Sequence, residues 1–180
     1  GEPPTPKPAE AAPPAARIAS TEEGFLWRRH IEQYRHATFS PEPYYREVLK
    51  RDAGHSRANN ALGLRLLARG DFAGAEAHFR TACSRLTARN PNPYEGEPLF
   101  NLALTLWHRG ELREAYDWFY KAAWNAERRA ESYFYLARIE AARGRLEAAL
   151  IHATRCRQEN PGHLAAAHLA AVLLRKLDRG

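Results

Sequence analysis

At 180 residues the chain is long enough for one globular domain or about five short repeats. Its apolar content of 44% is ordinary for a folded protein, and two cysteines, Cys83 and Cys156, exclude a disulfide framework or a cysteine-rich metal site. The net charge of +6 comes with 23 arginines against four lysines, but these alternate with acids, as in E-R-R-A-E over 127–131. That pattern reads as solvated helix faces with i, i+4 pairs rather than as a track for nucleic acid.

Half of the twelve prolines fall within the first 14 positions. Residues 1–20 have no apolar periodicity, and proline fixes φ and removes donors, so an extended linker or arm is expected there. Ser20 then caps a helix expected over 22–36, marked by Phe25, Leu26, Ile31 and Tyr34. Ser40-Pro41 opens a second, over 41–51, with Tyr44, Tyr45, Val48 and Leu49 on its apolar face. Helices over 56–68 and 71–88 follow, separated by a tight turn at Gly70-Asp71. The loop Asn90-Pro91-Asn92-Pro93-Tyr94-Glu95-Gly96 breaks the chain. Two more pairs are expected, 97–109 with 111–125 and 130–142 with 145–158, then a single helix over 163–177. The face Leu164, Ala167, Ala171 and Leu174 of that helix has nothing to cover it, so self-association or a contact with the chain's own arm is expected. The chain contains no Met and reads as a segment of a longer protein, truncated at its C-terminal end.

The turn repeats. Gly110 follows Gly70 by 40 residues and Gly144 follows Gly110 by 34. Seven residues before the turns stand Gly63, Ala103 and Ala137, with Ala171 at the matching place in the last helix. Five residues after them stand Ala75, Ala115 and Ala149. Small residues at two fixed offsets let paired helices approach closely. An aromatic follows in the third column, Tyr45, Phe79 and Phe119, where the last hairpin has Ala153 and needs other side chains to fill the space.

Leu62-Gly63, Gly70, Ala75, Phe79 and Ala82, repeated as Leu102-Ala103, Gly110, Ala115, Phe119 and Ala122, resemble tetratricopeptide repeats. The resemblance implies an all-α fold, a right-handed α-solenoid of helix hairpins. It covers 21–180 as one repeat domain of about four hairpins plus a final unpaired helix, behind the linker 1–20. The stretches 30–38, 57–63, 90–97 and 119–126 also resemble the repeat region of large bacterial proteins in which a galactose-mutarotase-like, sugar-handling domain precedes the repeats. That likeness implies that the proline-rich start is an interdomain linker.

No signature of catalysis is present: no Walker-type or dinucleotide-binding glycine loop, no H-E-x-x-H, no G-x-S-x-G. The histidines offer no i, i+4 pair, so neither a metal nor a cofactor is expected, and the chain reads as no enzyme. A binding surface remains. The resemblance puts the first helices on the concave face, which would carry Asn60, Leu64 and Leu67, then Phe100, Leu104, Trp107 and His108, then Phe134 and Arg138. The clamp by which some such repeats hold chaperone tails needs Lys, Asn and Arg where this chain has Asn60, Leu64, Asn101, Glu131 and Tyr135. Only Asn101 fits, so that ligand is not expected. Asn90, Asn92 and Tyr94 would stand at the groove rim. The expected function is a protein-binding or interdomain scaffold, its partner a protein, a peptide or another domain of the same chain. A homodimer through the last helix is a further expectation. The alternative is an accessory module of a carbohydrate-active protein, with Trp107 and Tyr94 touching sugar. No 18-residue apolar run and no signal peptide are visible, so no membrane partner and a cytoplasmic location are expected.

Overall fold

The computed structural model describes residues 14–17, 20 and 40–178. The helix expected over 22–36 lies outside the described residues, as does most of 1–20. A 3-10 turn, Ala15–Arg17, touches the first α-helix. Eight α-helices follow: α1 (Glu42–Arg51), α2 (Ser56–Ala68), α3 (Phe72–Thr87), α4 (Glu97–His108), α5 (Leu112–Ala122), α6 (Ala126–Ala142), α7 (Leu146–Glu159) and α8 (Leu164–Leu177). Among the described residues there is no strand. Pairs α2/α3, α4/α5 and α6/α7 form hairpins, and each helix otherwise packs on the neighbouring hairpin.

Three copies of one turn close the hairpins. Gly70, Gly110 and Gly144 have φ of 79°, 81° and 74°, a region that costs an L-residue strain. In each, the glycine N–H donates to the carbonyl three residues back and the next N–H to the carbonyl five back, as in Gly70 to Leu67 and Asp71 to Leu66, both 3.0 Å. These bonds satisfy carbonyls that the helix end would leave orphaned.

The small-residue columns pack as expected. Ala75, Ala115 and Ala149 are fully buried. A Cβ at Gly63 would sit 2.6 Å from the Phe79 ring, so the missing side chain is the space that Phe79 fills. Ala153, in the aromatic column, shares a cluster with Ala137 and Ala170, and Leu150 and Leu169 supply the bulk around it. Ala171 is exposed, because no described helix follows to face it. Instead, α8 buries Ala166, Ala170 and Leu173 and leaves Leu164 and Leu174 in solvent. One boundary differs from expectation. Helix α5 ends at Ala122 and α6 begins at Ala126, not 130, because the Asn125 side chain caps α6 by accepting from the Glu127 N–H at 3.1 Å.

The arginines are mostly paired. Arg46 with Glu42, Arg51 with Glu47 and Arg80 with Glu76 are i, i+4 pairs. Arg80 also grips Glu114 of the next hairpin through two bonds of 2.7 and 2.8 Å, which holds the Glu114 carboxyl below its usual range. Being largely exposed, such pairs add little stability each.

One buried and one half-buried histidine add a pH dependence. His152, its Nε2 3.2 Å from the Tyr116 hydroxyl, is held below its ordinary value of 6.5 by burial, aided by Arg155. His78 is lowered by burial and by Arg46. Above about 6.5 both are neutral whether folded or unfolded and contribute no pH dependence. As pH falls below that, the unfolded chain takes up these protons first, so the native state loses stability. The thermal midpoint is therefore expected to fall between pH 7.5 and 5.5, and the His152→Gln variant to show a shallower slope in differential scanning fluorimetry.

Candidate binding groove

Helices α2, α4 and α6, the first of each hairpin, touch one another directly, whereas the second helices contact each other less. In a curved stack the closer-spaced row is the inner one, so α2, α4 and α6 line the concave side.

On that side the expected residues separate into two groups. Some belong to the packing. Asn101 Nδ2 donates to Asn60 Oδ1 at 2.9 Å, and both side chains are buried, so the two amides satisfy each other between α4 and α2. Phe100 is buried as well, its ring edge-on to Phe119 at 5.5 Å and to Tyr135 at 6.0 Å. Leu67 and Leu104 pack against the core with one side and keep the other partly exposed.

The rest keep surface outside the packing, and those on α4 and α6 touch one another. Leu64 is exposed. The Arg138 guanidinium lies 4.4 Å over the Trp107 ring, 5.5 Å from Tyr135 and 5.7 Å from Phe134. His108 is exposed and stacks on Phe72 at 5.4 Å. Phe134 meets His163 at 4.7 Å, and His163 Nε2 sits 3.3 Å from the Glu131 carboxylate. Phe72 and His163 were not among the positions expected there, and Tyr135 entered only as a clamp position that does not fit. Tyr135 stacks on Phe119 at 4.8 Å and meets Trp107 edge-on at 5.3 Å, so one ring joins groove to core. Its neighbour Phe134 was the signal, since adjacent helix positions lie 100° apart and two rings in a row must serve two surfaces.

The loop before α4 lies beside α2 and the start of α6. Asn90 Oδ1 accepts from the Asn92 N–H at 3.0 Å, a local turn that holds the loop. Asn125 Nδ2 donates to the Tyr94 carbonyl, pinning the loop to the start of α6. The Tyr94 side chain is 92% exposed, and Asn90 and Asn92 are exposed too. A cavity of about 520 Å³ opens beside Tyr94, lined by Tyr45, Asn60, Leu64, Arg65 and Glu97. The Arg57–Glu95 ion pair, 2.7 Å, stands at its edge.

Among the described residues no group of three His, Cys, Asp or Glu side chains could hold a metal ion. Burial pushes the Cys83 thiol up to about 12 and the Cys156 thiol to about 11, so both stay protonated at neutral pH and are poor nucleophiles. No described helix is long and apolar enough to cross a membrane.

No protein family's sequence profile matches the chain. Solved structures do. YrrB, titled a TPR protein with an unusual peptide-binding site, superposes with a TM-score of 0.71 at 16% identity, covering 91% of this chain and 80% of YrrB. PilF of Pseudomonas aeruginosa gives 0.71 at 19%, covering 88% and 69%. PilW, titled a type IV pilus biogenesis factor, gives 0.63 at 17%, covering 92% and 80%. At such identities the likeness speaks to architecture alone, and on it the chain has the tetratricopeptide-repeat fold.

Proposed function

We propose that the chain is a non-catalytic scaffold whose inner face holds a protein or peptide segment. The observation that carries this is the cluster of Trp107, Arg138 and Phe134, which joins aromatic area to an uncommitted charge, with Leu64 exposed on an earlier first helix. YrrB supports it, since that protein of the same fold has a peptide-binding site. None of the neighbours named above supports an accessory role beside a sugar-handling domain. Arg138 also already covers one face of Trp107 on which a sugar would stack.

Selection of random 12-residue peptides on the immobilised protein tests the reading. Enriched peptides are expected to bind the parent protein and to lose at least about tenfold in affinity with Trp107→Ala. Trp124→Ala, which changes an exposed ring beyond the end of α5, is expected to leave affinity unchanged. Binding that survives Trp107→Ala but not Trp124→Ala would place the site elsewhere.

A further inference from the structure

Resting on that reading, we propose that Arg138 is the anion anchor of the groove, and that the peptide it accepts places an Asp or Glu beside two apolar residues at fixed spacing. Arg138 differs from the other arginines of the inner face. Arg57 pairs with Glu95, Arg65 with Glu42 and Arg128 with Glu97. Arg138 has no carboxylate partner and no hydrogen bond among the described residues. It is nevertheless half-buried, its guanidinium 4.4 to 5.7 Å from the centroids of three rings. A guanidinium held by ring faces rather than by hydrogen bonds keeps its N–H donors free, and a pair of them matches a carboxylate through two parallel bonds. Its orientation is set before any ligand arrives, so little side-chain entropy remains to be lost on binding.

The spacing follows from the repeat. Leu64, Leu104 and Arg138 each stand six residues before their turn glycine, one per hairpin, so they form a row across α2, α4 and α6. Packed helices lie about 8–10 Å apart. An extended chain advances about 3.3–3.6 Å per residue, so it meets successive members of the row every three residues. The occupant is thus an extended peptide of the form apolar-x-x-apolar-x-x-acidic, in one chain direction or the other. A nucleic acid would need a line of free cations along its backbone, and here the neighbouring arginines are already neutralised.

Fluorescence anisotropy with labelled ten-residue peptides tests this. The set carries Leu-x-x-Leu-x-x-Glu, its Gln and Lys counterparts, and the reversed sequences, with Ser and Thr as spacers. The parent protein is expected to prefer Glu over Gln by about tenfold or more, the usual range for a charge-assisted bond. Arg138→Gln should erase the preference, and Arg138→Glu should turn it toward Lys. Unchanged thermal midpoints show that the variants remain folded, and Arg138→Lys, which keeps the charge but not the planar fork, should retain only part of the preference. Equal binding of Glu and Gln peptides, or a preference that survives Arg138→Gln, overturns the anchor and leaves the groove standing. No binding by any peptide of the set overturns the motif, and together with a failed Trp107 test it removes the groove as well. Displacement of the Glu peptide by a single-stranded oligonucleotide, dependent on Arg138, would reassign the anion to a phosphate.

Discussion

Phe119→Ala is expected to lower the unfolding free energy by about 3–5 kcal/mol, the range for removing a fully buried aromatic ring. The ring has no exposed surface, lies flat on Tyr135 at 4.8 Å and receives the edge of Phe100 at 5.5 Å. It sits where α4, α5 and α6 meet, so its loss weakens both the hairpin and the joint to the next one. The chain does carry alanine at the matching place of the last hairpin, but there Leu150 and Leu169 close around Ala153. Around residue 119 the large neighbours are already packed on the Phe119 ring itself, and a cavity must remain. In an array held together mainly by neighbour contacts, weakening a central joint also divides the cooperative unit. Denaturant unfolding followed by circular dichroism is therefore expected to shift to lower concentration and to broaden. A loss below about 1 kcal/mol would mean that the rings collapse into the space, contrary to close packing.

Gly63→Leu is expected to cost about 3 kcal/mol, at the upper end for overpacking a filled site. Even a single Cβ there would overlap the Phe79 ring, which is itself fully buried and has nowhere to turn. The added side chain must push α2 away from α3. The same geometry predicts a rescue: Phe79→Ala destabilises alone, yet in the Gly63→Leu background it should restore part of the loss, because the leucine occupies the vacated volume. A double-mutant cycle reads this as a coupling energy of about 0.5–3 kcal/mol. Additive losses would show that residues 63 and 79 do not share one space. The pairing of Ala137 with Ala153 is the chain's own version of a smaller couple at this joint.

These two sites were readable in the sequence because a solenoid repeats its steric problem. Gly70, Gly110 and Gly144 mark the same backbone conformation three times, and the columns at two fixed distances from them need no tertiary knowledge. The groove was only partly legible. An offset from the turn places Leu64, Trp107 and Arg138 on the inner row, but it cannot say which side chains there find each other. Asn60 and Asn101 read as free polar handles and instead bind one another across 41 positions. Phe100 carries the same offset as Phe134, yet it is drawn into the core by Phe119 and Tyr135. The start of α6 was misplaced because asparagine closes helices as readily as it opens them. Only the Glu127 N–H, reaching back to Asn125, decides between the two.

Because each hairpin leans chiefly on its neighbours, the stack has the mechanics of a coil spring. Among the described residues no strut runs from α1 to α8, so curvature is the sum of small rotations at successive joints. A ligand that draws α2, α4 and α6 together along Leu64, Leu104 and Arg138 tightens the coil at each joint. The far ends then swing through the accumulated angle, and a partner gripping the outer helices would sense the filled groove without reaching into it.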